Sequence, residues 1–248
     1  MKKYGLIGYP LTHSFSKQFF TEKFRKEKIH AAYLNFEIDS VDHISTIIEE
    51  NPELSGLNVT IPYKELIIPV LDKLDREAEE IAAVNTIKII RKQDKIYLTG
   101  FNTDIWGFEH SLKPFLKNHH KSALILGTGG ASKAVQYVLK KLDINFMTVT
   151  TRVPSENSVN YHDLTKQLMT DHTIIINTTP LGTFPHINTF PNIPYEHITS
   201  NHLLYDLVYN PELTTFLQKG KQQGAIIKNG YEMLVLQALK SYEIWEQL

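Results

Sequence analysis

Short runs of apolar, often β-branched residues alternate along the chain with stretches whose apolar positions recur every three or four residues. That alternation predicts an α/β architecture in which crossover helices pack on sheets. In the N-terminal part, strands are expected at 4–8 (YGLIG), 31–38 (AAYLNFEI) and 55–60 (SGLNVT), with helices at 14–28 and 41–50 between them. Two further β-type runs, 84–90 and 95–100, flank the polar segment RKQD, a connection suited to an antiparallel hairpin.

A second α/β pattern starts near Lys121. It comprises a strand at 122–127 (SALILG), a helix at 131–142, a strand at 145–152, and further strands at 173–177, 203–208 and 225–229. The last stretch, from 231 to the end, has the periodicity of an amphipathic helix. No internal repeat or low-complexity tract interrupts the pattern. The restart implies two domains joined by a helix from Thr103 to about Lys117, with the ligand site expected in a cleft between them.

Composition narrows the function. Hydrophobic residues make up 42% and charged residues 21%, an ordinary globular balance. With 26 basic and 27 acidic residues the net charge is -1, so no long-range field recruits nucleic acid or an anionic membrane, and a small molecule is the expected partner. Cysteine is absent, which removes disulfides, thiolate metal sites and cysteine nucleophiles and fits a cytoplasmic location. The N-terminal MKKYGLIGYPLTHS is unlike a secretory signal, and no run approaches the ~18 apolar residues of a membrane span. His119 and His120 are adjacent rather than spaced on one helical face, so no metal site is expected.

The most local chemical signal is LILGTGGASKA. Gly127, Gly129 and Gly130 directly follow an apolar strand and open a helix, where free backbone N–H groups and the helix dipole favour a pyrophosphate. Ser132 occupies the position of the third glycine in GxGxxG. The next strand ends in Thr150, Thr151 and Arg152 rather than an acidic residue. A guanidinium there suits a ribose 2′-phosphate, so NADP is favoured over NAD.

Three polar clusters follow strand-like segments in the first half: Ser14 and Ser16 in HSFS; Asn58, Thr60 and Lys64 in NVTIPYK; Thr103 and Asp104 in GFNTD. Asn85 begins a strand of its own. Such residues converge at the carboxyl ends of strands in open α/β sheets. Together they offer hydroxyls for a carboxylate, amides for hydroxyls, and one Lys/Asp pair suited to protonating the alkoxide formed when a ketone is reduced.

The ordered segments GYPLTHSFS, GLNVTIPYK, AVNTI, GFNTD, LGTGGA, NTTPLG, YDLVYNP and NGYEMLVLQA resemble the shikimate dehydrogenase family over nearly the whole chain. The resemblance implies an N-terminal α/β substrate domain (1–104 with 231–248), a C-terminal Rossmann domain for NADP(H) (105–230), and a final helix returning to the first domain. It implies NADPH-dependent, reversible reduction of 3-dehydroshikimate to shikimate by a cytoplasmic monomer or homodimer.

By the same resemblance Ser14, Ser16, Thr60 and Tyr209 would hold the substrate carboxylate, and Asn58, Asn85, Asp104 and Gln237 would address its hydroxyls. Lys64, paired with Asp104, would be the catalytic lysine. Gly127, Gly129, Gly130 and Ala131 would cradle the pyrophosphate, Thr151 and Arg152 would meet the adenosine phosphate, Thr178 would line the cofactor, and Val208 and Gly230 would lie near the nicotinamide. The chain departs from the family pattern in three places. Thr151 precedes Arg152 where asparagine is common, Ile105 and Trp106 follow Asp104 where glycine is common, and Lys17 stands where proline is common. Alternative readings are a dual-specificity quinate/shikimate dehydrogenase and a non-catalytic nicotinamide-binding regulator on the same fold.

Overall fold

The structure, a computed structural model, describes residues 1–11, 15–93 and 95–247. The chain divides into two compact units, Met1–Thr103 with Gln237–Leu248, and Asp104–Leu236.

The first unit carries β1 (Lys2–Gly8), α1 (Phe15–Lys26), β2 (Ala31–Glu37), α2 (Ile44–Glu50), β3 (Leu54–Val59), α3 (Tyr63–Leu66), β4 (Lys73–Leu74), α4 (Arg76–Ile81), β5 (Thr86–Lys92) and β6 (Lys95–Phe101). Its six-stranded sheet has the order β2-β1-β3-β5-β6-β4. β1 runs parallel to β2 and β3, whereas β5 runs antiparallel to β3 and β6, the hairpin expected around RKQD. One face buries Ile7, Leu57, Val59 and Ile87 against Ile44 and Ile48 of α2. Each such side chain contributes roughly 1.5–3 kcal/mol on burial.

The second unit begins with α5 (Thr103–Leu112), whose first residue lies at the boundary, and continues through β7 (Ser122–Leu126), α6 (Gly130–Lys141), β8 (Asn145–Thr150), β9 (Ser158–Asn160), α7 (Lys166–Asp171), β10 (Ile174–Asn177), β11 (Leu203–Asp206), α8 (Thr215–Gln222), β12 (Ile226–Lys228) and the start of α9 (Tyr231–Glu246). The sheet order is β12-β11-β10-β7-β8-β9, and every pairing is parallel. β7, β10 and β11 are buried on both faces, which is why they read as unbroken apolar runs rather than alternating ones. The chain winds outward from β7 through β8 to β9, then returns to β10 and winds the other way. The order therefore reverses between β7 and β10, the point at which doubly wound sheets bind ligands.

α5 stops at Leu112 and not near Lys117. Pro114 lies in a 3-10 turn at Lys113–Phe115 and has no N–H with which to continue the α-helical ladder. From Gln237 on, α9 belongs to the first unit, where Trp245 stacks on Tyr4 at 4.8 Å and donates its indole N–H to the Ile87 carbonyl at 3.0 Å. Phe20 and Phe24 of α1 complete that aromatic cluster. Among the described residues no helix is long and apolar enough to cross a membrane.

Candidate active site

In the first unit, buried polar side chains converge at the carboxyl ends of β3 and β6 and the start of β5. Asn58, next to last in β3, is 4% exposed, and its amide is engaged on both sides. Its oxygen accepts from the Tyr33 hydroxyl at 2.8 Å. Its nitrogen donates to Ser241 Oγ at 3.0 Å and to Thr86 Oγ1 and the Asn85 carbonyl at 3.2 Å. Ser16, in the first turn of α1, neighbours the Tyr33 hydroxyl. Burial pushes the Tyr33 phenol well above its usual range, which keeps it neutral and able to donate to Asn58.

Asn85 has its oxygen fixed by the Thr103 backbone N–H at 2.7 Å and by the Thr103 and Thr86 hydroxyls at 3.1 Å. Thr103 also lies 3.4 Å from the Gln237 amide oxygen and 3.0 Å from Ser241 Oγ. Ser241 in turn lies 2.8 Å from Thr86 and donates to the Gln237 carbonyl. Thr86, Thr103 and Ser241 thus form a hydroxyl core, each at most 1% exposed, around which Asn58, Asn85 and Gln237 are arranged. Tyr33, Thr86 and Ser241 were not singled out by sequence. A serine in an amphipathic helix and a threonine at a strand start carry no distinguishing signal.

Thr60 follows β3, partly buried, with its N–H bonded to the Ile7 carbonyl at 2.9 Å. Lys64 sits in the short helix α3, also partly buried, and its carbonyl accepts from Val84 N–H at 2.7 Å. Asp104, 9% exposed, lies in the first turn of α5. Ser14 lies outside the described residues. No group of three or more metal-ligating carboxylates and histidines occurs among the described residues.

In the second unit, the Gly127–Gly130 segment lies between the end of β7 and the start of α6, at the reversal point. Gly127 has φ +107°, and a side chain there would meet Thr178 Oγ1 and Thr179 Cγ2 at 2.9 Å. Thr178 is itself held by its hydroxyl on the Leu126 carbonyl at 2.8 Å, so the loop and the end of β10 are locked together. Gly129 and Gly130 face open space instead, with no atom within 4 Å of where a side chain would start. Gly129 caps α6 without any side-chain hydrogen bond, leaving the first N–H groups of the helix available to an anion. Ser132 turns inward, fully buried, and accepts from Gln136 at 3.0 Å, so its hydroxyl does not obstruct the loop.

A cavity of about 510 Å³ adjoins this loop, lined by Gly127 and Thr128, by Thr151 and Arg152 after β8, and by Tyr161, Leu181 and Phe190. A second, more polar cavity of about 370 Å³ shares Thr128, Thr150 and Arg152 with it and reaches Lys140. Arg152 therefore stands between an apolar hollow and a hydroxyl-rich one. Val208, 7% exposed, accepts from Gly230 N–H at 3.2 Å, which brings those two residues together beyond the end of β11. Gly230 cannot carry a side chain, because the Leu207 carbonyl occupies the position a Cβ would take. Tyr209 follows on the same segment, 37% exposed, with its phenol raised by partial burial.

Comparison with known proteins adds a family. A family model described as the shikimate dehydrogenase substrate binding domain matches residues 6–87. A Methanosphaera stadtmanae protein named shikimate dehydrogenase (NADP(+)) is 36% identical over 259 residues, spanning 97% of this chain and 90% of that one. The crystal structure of shikimate dehydrogenase 1 from Peptoclostridium difficile is similar with TM-score 0.84 and 37% identity, covering 99% of this chain and 92% of that chain. The structure of the Thermus thermophilus shikimate 5-dehydrogenase in complex with NADP(H) and shikimate is 26% identical with TM-score 0.84, covering 100% of this chain and 94% of that one.

Proposed function

The chain belongs to the shikimate dehydrogenase family, and from that membership we propose that it reduces 3-dehydroshikimate reversibly to shikimate with NADPH, with Lys64 and Asp104 as its reacting pair. The observation that carries the reading is the family match, which spans both units. The first unit is the substrate domain and the second the cofactor domain in this reading.

The second unit fits the cofactor. The side-chain-free space at Gly129 and Gly130, the uncapped start of α6 and the adjoining cavity suit a pyrophosphate and adenosine. Ala131 would join the glycines in that cradle, Thr151 and Arg152 would hold the 2′-phosphate, and Thr178, Val208 and Gly230 would line the nicotinamide half. When bound, NADPH supplies the hydride.

The chain's own residues supply the rest. The hydroxyl core holds Asn85 and Gln237 with their amides fixed in place, so orientation is set before substrate arrives. Ser14, Ser16, Thr60 and Tyr209 would engage the substrate carboxylate, and Asn58, Asn85, Asp104 and Gln237 would address its hydroxyls, with the Asn58 amide held by Tyr33, Thr86 and Ser241. As the ketone carbon accepts hydride, negative charge develops on its oxygen. The Lys64 ammonium would stabilise that charge and donate the proton completing the alcohol, with Asp104 orienting it and accepting from a substrate hydroxyl. Balance is then met: ketone, reduced nicotinamide and one proton give alcohol and oxidised nicotinamide.

We further take the protein to be a cytoplasmic monomer or homodimer. The test of the activity is to mix pure protein, shikimate and NADP+ and follow the absorbance of the reduced nicotinamide, with quinate and NAD+ in parallel. Turnover of shikimate with NADP+ is expected. No turnover in either direction rejects the reading, and comparable turnover of quinate would replace it by the dual-specificity one.

A further inference from the structure

Asp206 ends β11 fully buried, yet none of the roles above uses it. Its Oδ1 accepts from Asn177 Nδ2 at 2.9 Å and from Val208 N–H at 3.0 Å, and its Oδ2 accepts from the Thr214 hydroxyl at 2.6 Å. All three donors are neutral, and no cation offsets the charge among the described residues. Burial therefore pushes the carboxyl up to about 6 against the opposing pull of those bonds, and its charge helps raise the Tyr195 phenol, which burial raises most. A buried carboxylate without a cation costs stability at neutral pH, so its presence calls for a reason other than holding the core together.

Location supplies one. Asn177 is the last residue of β10 and immediately precedes Thr178. Val208 N–H opens the segment that carries Tyr209, and Thr214 caps α8 at the far end of that loop. The Leu207 N–H reaches back to the Asn177 carbonyl at 3.0 Å, and Gly230 N–H reaches the Val208 carbonyl at 3.2 Å. One carboxylate thus ties the ends of two neighbouring parallel strands to the start of a helix.

We propose that Asp206 is a positioning residue, which fixes Thr178 and the Val208–Tyr209 segment in the arrangement that receives the nicotinamide half of the cofactor. The inference rests on the NADP reading above. What matters is acceptor geometry rather than charge: asparagine keeps Oδ1 for Asn177 and Val208, and its amide nitrogen can donate to the Thr214 oxygen.

The test compares the wild type with Asp206→Ala and Asp206→Asn. Binding of NADP+ and of adenosine 2′,5′-bisphosphate, which lacks the nicotinamide half, is measured by calorimetry. Hydrogen exchange of the unliganded proteins is measured in parallel. Asp206→Ala should weaken NADP+ on the order of tenfold, while the bisphosphate changes by less than about twofold. Exchange should quicken at 178–182 and 207–214 but not at 131–141. Asp206→Asn should restore NADP+ binding to within about threefold of wild type. Should the alanine variant misfold, Thr214→Val removes a single arm and should shift binding the same way, whereas Thr214→Ser should not.

Unchanged NADP+ binding with unchanged exchange in Asp206→Ala overturns the proposal. So does a loss in Asp206→Asn as large as in Asp206→Ala, because charge would then be the cause. If the wild type binds the bisphosphate but not NADP+, or neither, the cofactor reading fails, and the exchange comparison still decides whether Asp206 holds those loops.

Discussion

Gly127 and Gly129 stand two residues apart in one loop, but the structure demands their missing side chains for different reasons, and alanine substitution separates the two. At Gly127 the φ of +107° costs an L-residue roughly 1–2 kcal/mol. Contacts of 2.9 Å with Thr178 and Thr179 add an overpacking cost of roughly 1–3 kcal/mol. Gly127→Ala should therefore lose about 3 kcal/mol, a fall in Tm of roughly 6–12 °C for the cooperative unit that contains it. At Gly129 the backbone is extended with φ −77°, and no atom lies within 4 Å of a new methyl. The only internal cost is a poorer helix cap, under about 1 kcal/mol. The methyl does, however, enter the space assigned to pyrophosphate, so NADP+ affinity should fall by more than about tenfold. Calorimetric melting and NADP+ titration of both variants check this. A Gly127→Ala protein as stable as wild type contradicts the local geometry, and a Gly129→Ala protein that binds NADP+ normally contradicts the phosphate placement.

Three further outcomes follow from the same structure. Ser241→Ala removes a hydroxyl at the centre of four buried contacts, of which one donor and two acceptors can be satisfied at once, so it should destabilise by roughly 2–3 kcal/mol. Shikimate KM should rise while NADP+ affinity stays constant, and an unchanged KM would separate the hydroxyl core from substrate binding. Arg152→Ala should reduce the preference for NADP+ over NAD+ by about tenfold or more in titrations, since the lost contact is charge-assisted, and an unaltered preference would move the 2′-phosphate elsewhere. Asp206 has a folded pKa of about 6 against 3.8 for the free side chain, so between those values the folded state binds more protons than the unfolded one. Wild-type stability should consequently fall relative to Asp206→Asn as pH rises from about 4 to about 6 and hold level above, and parallel denaturation curves across that range would refute it.

How far the molecule was legible from its sequence follows from the range of each signal. The strands at 122–127, 173–177 and 203–208 stood out because burial on both faces makes them continuous apolar runs, and the hairpin at 84–100 stood out because its turn is polar. The helices α3, α4 and α7, with four, six and six residues, were too short to show a period, and the strands β4 and β9 were shorter still. α5 ends at Leu112, short of the expected Lys117, because Pro114 lies in the 3-10 turn that follows.

In the site, residue types were visible but their contacts were not. The sequence offers Asn58 and Asn85 as equivalent amides, yet Asn58 is saturated by Tyr33, Asn85, Thr86 and Ser241, contacts that join residues up to 183 positions apart. Asp206 in YDLVY looks like any strand-end aspartate, and only the meeting of β10, β11 and the Thr214 turn sets it apart.

The central claim is that Lys64 serves shikimate oxidation and ketone reduction in a protein that binds NADP+ independently of it. The most direct measurement is shikimate-dependent reduction of NADP+ by the wild type and by Lys64→Ala, with NADP+ affinity determined for both. Wild-type turnover, a loss of roughly a hundredfold or more in kcat for the variant, and equal NADP+ affinity are expected. A variant that retains wild-type kcat, or a wild type that turns over no shikimate, would contradict it.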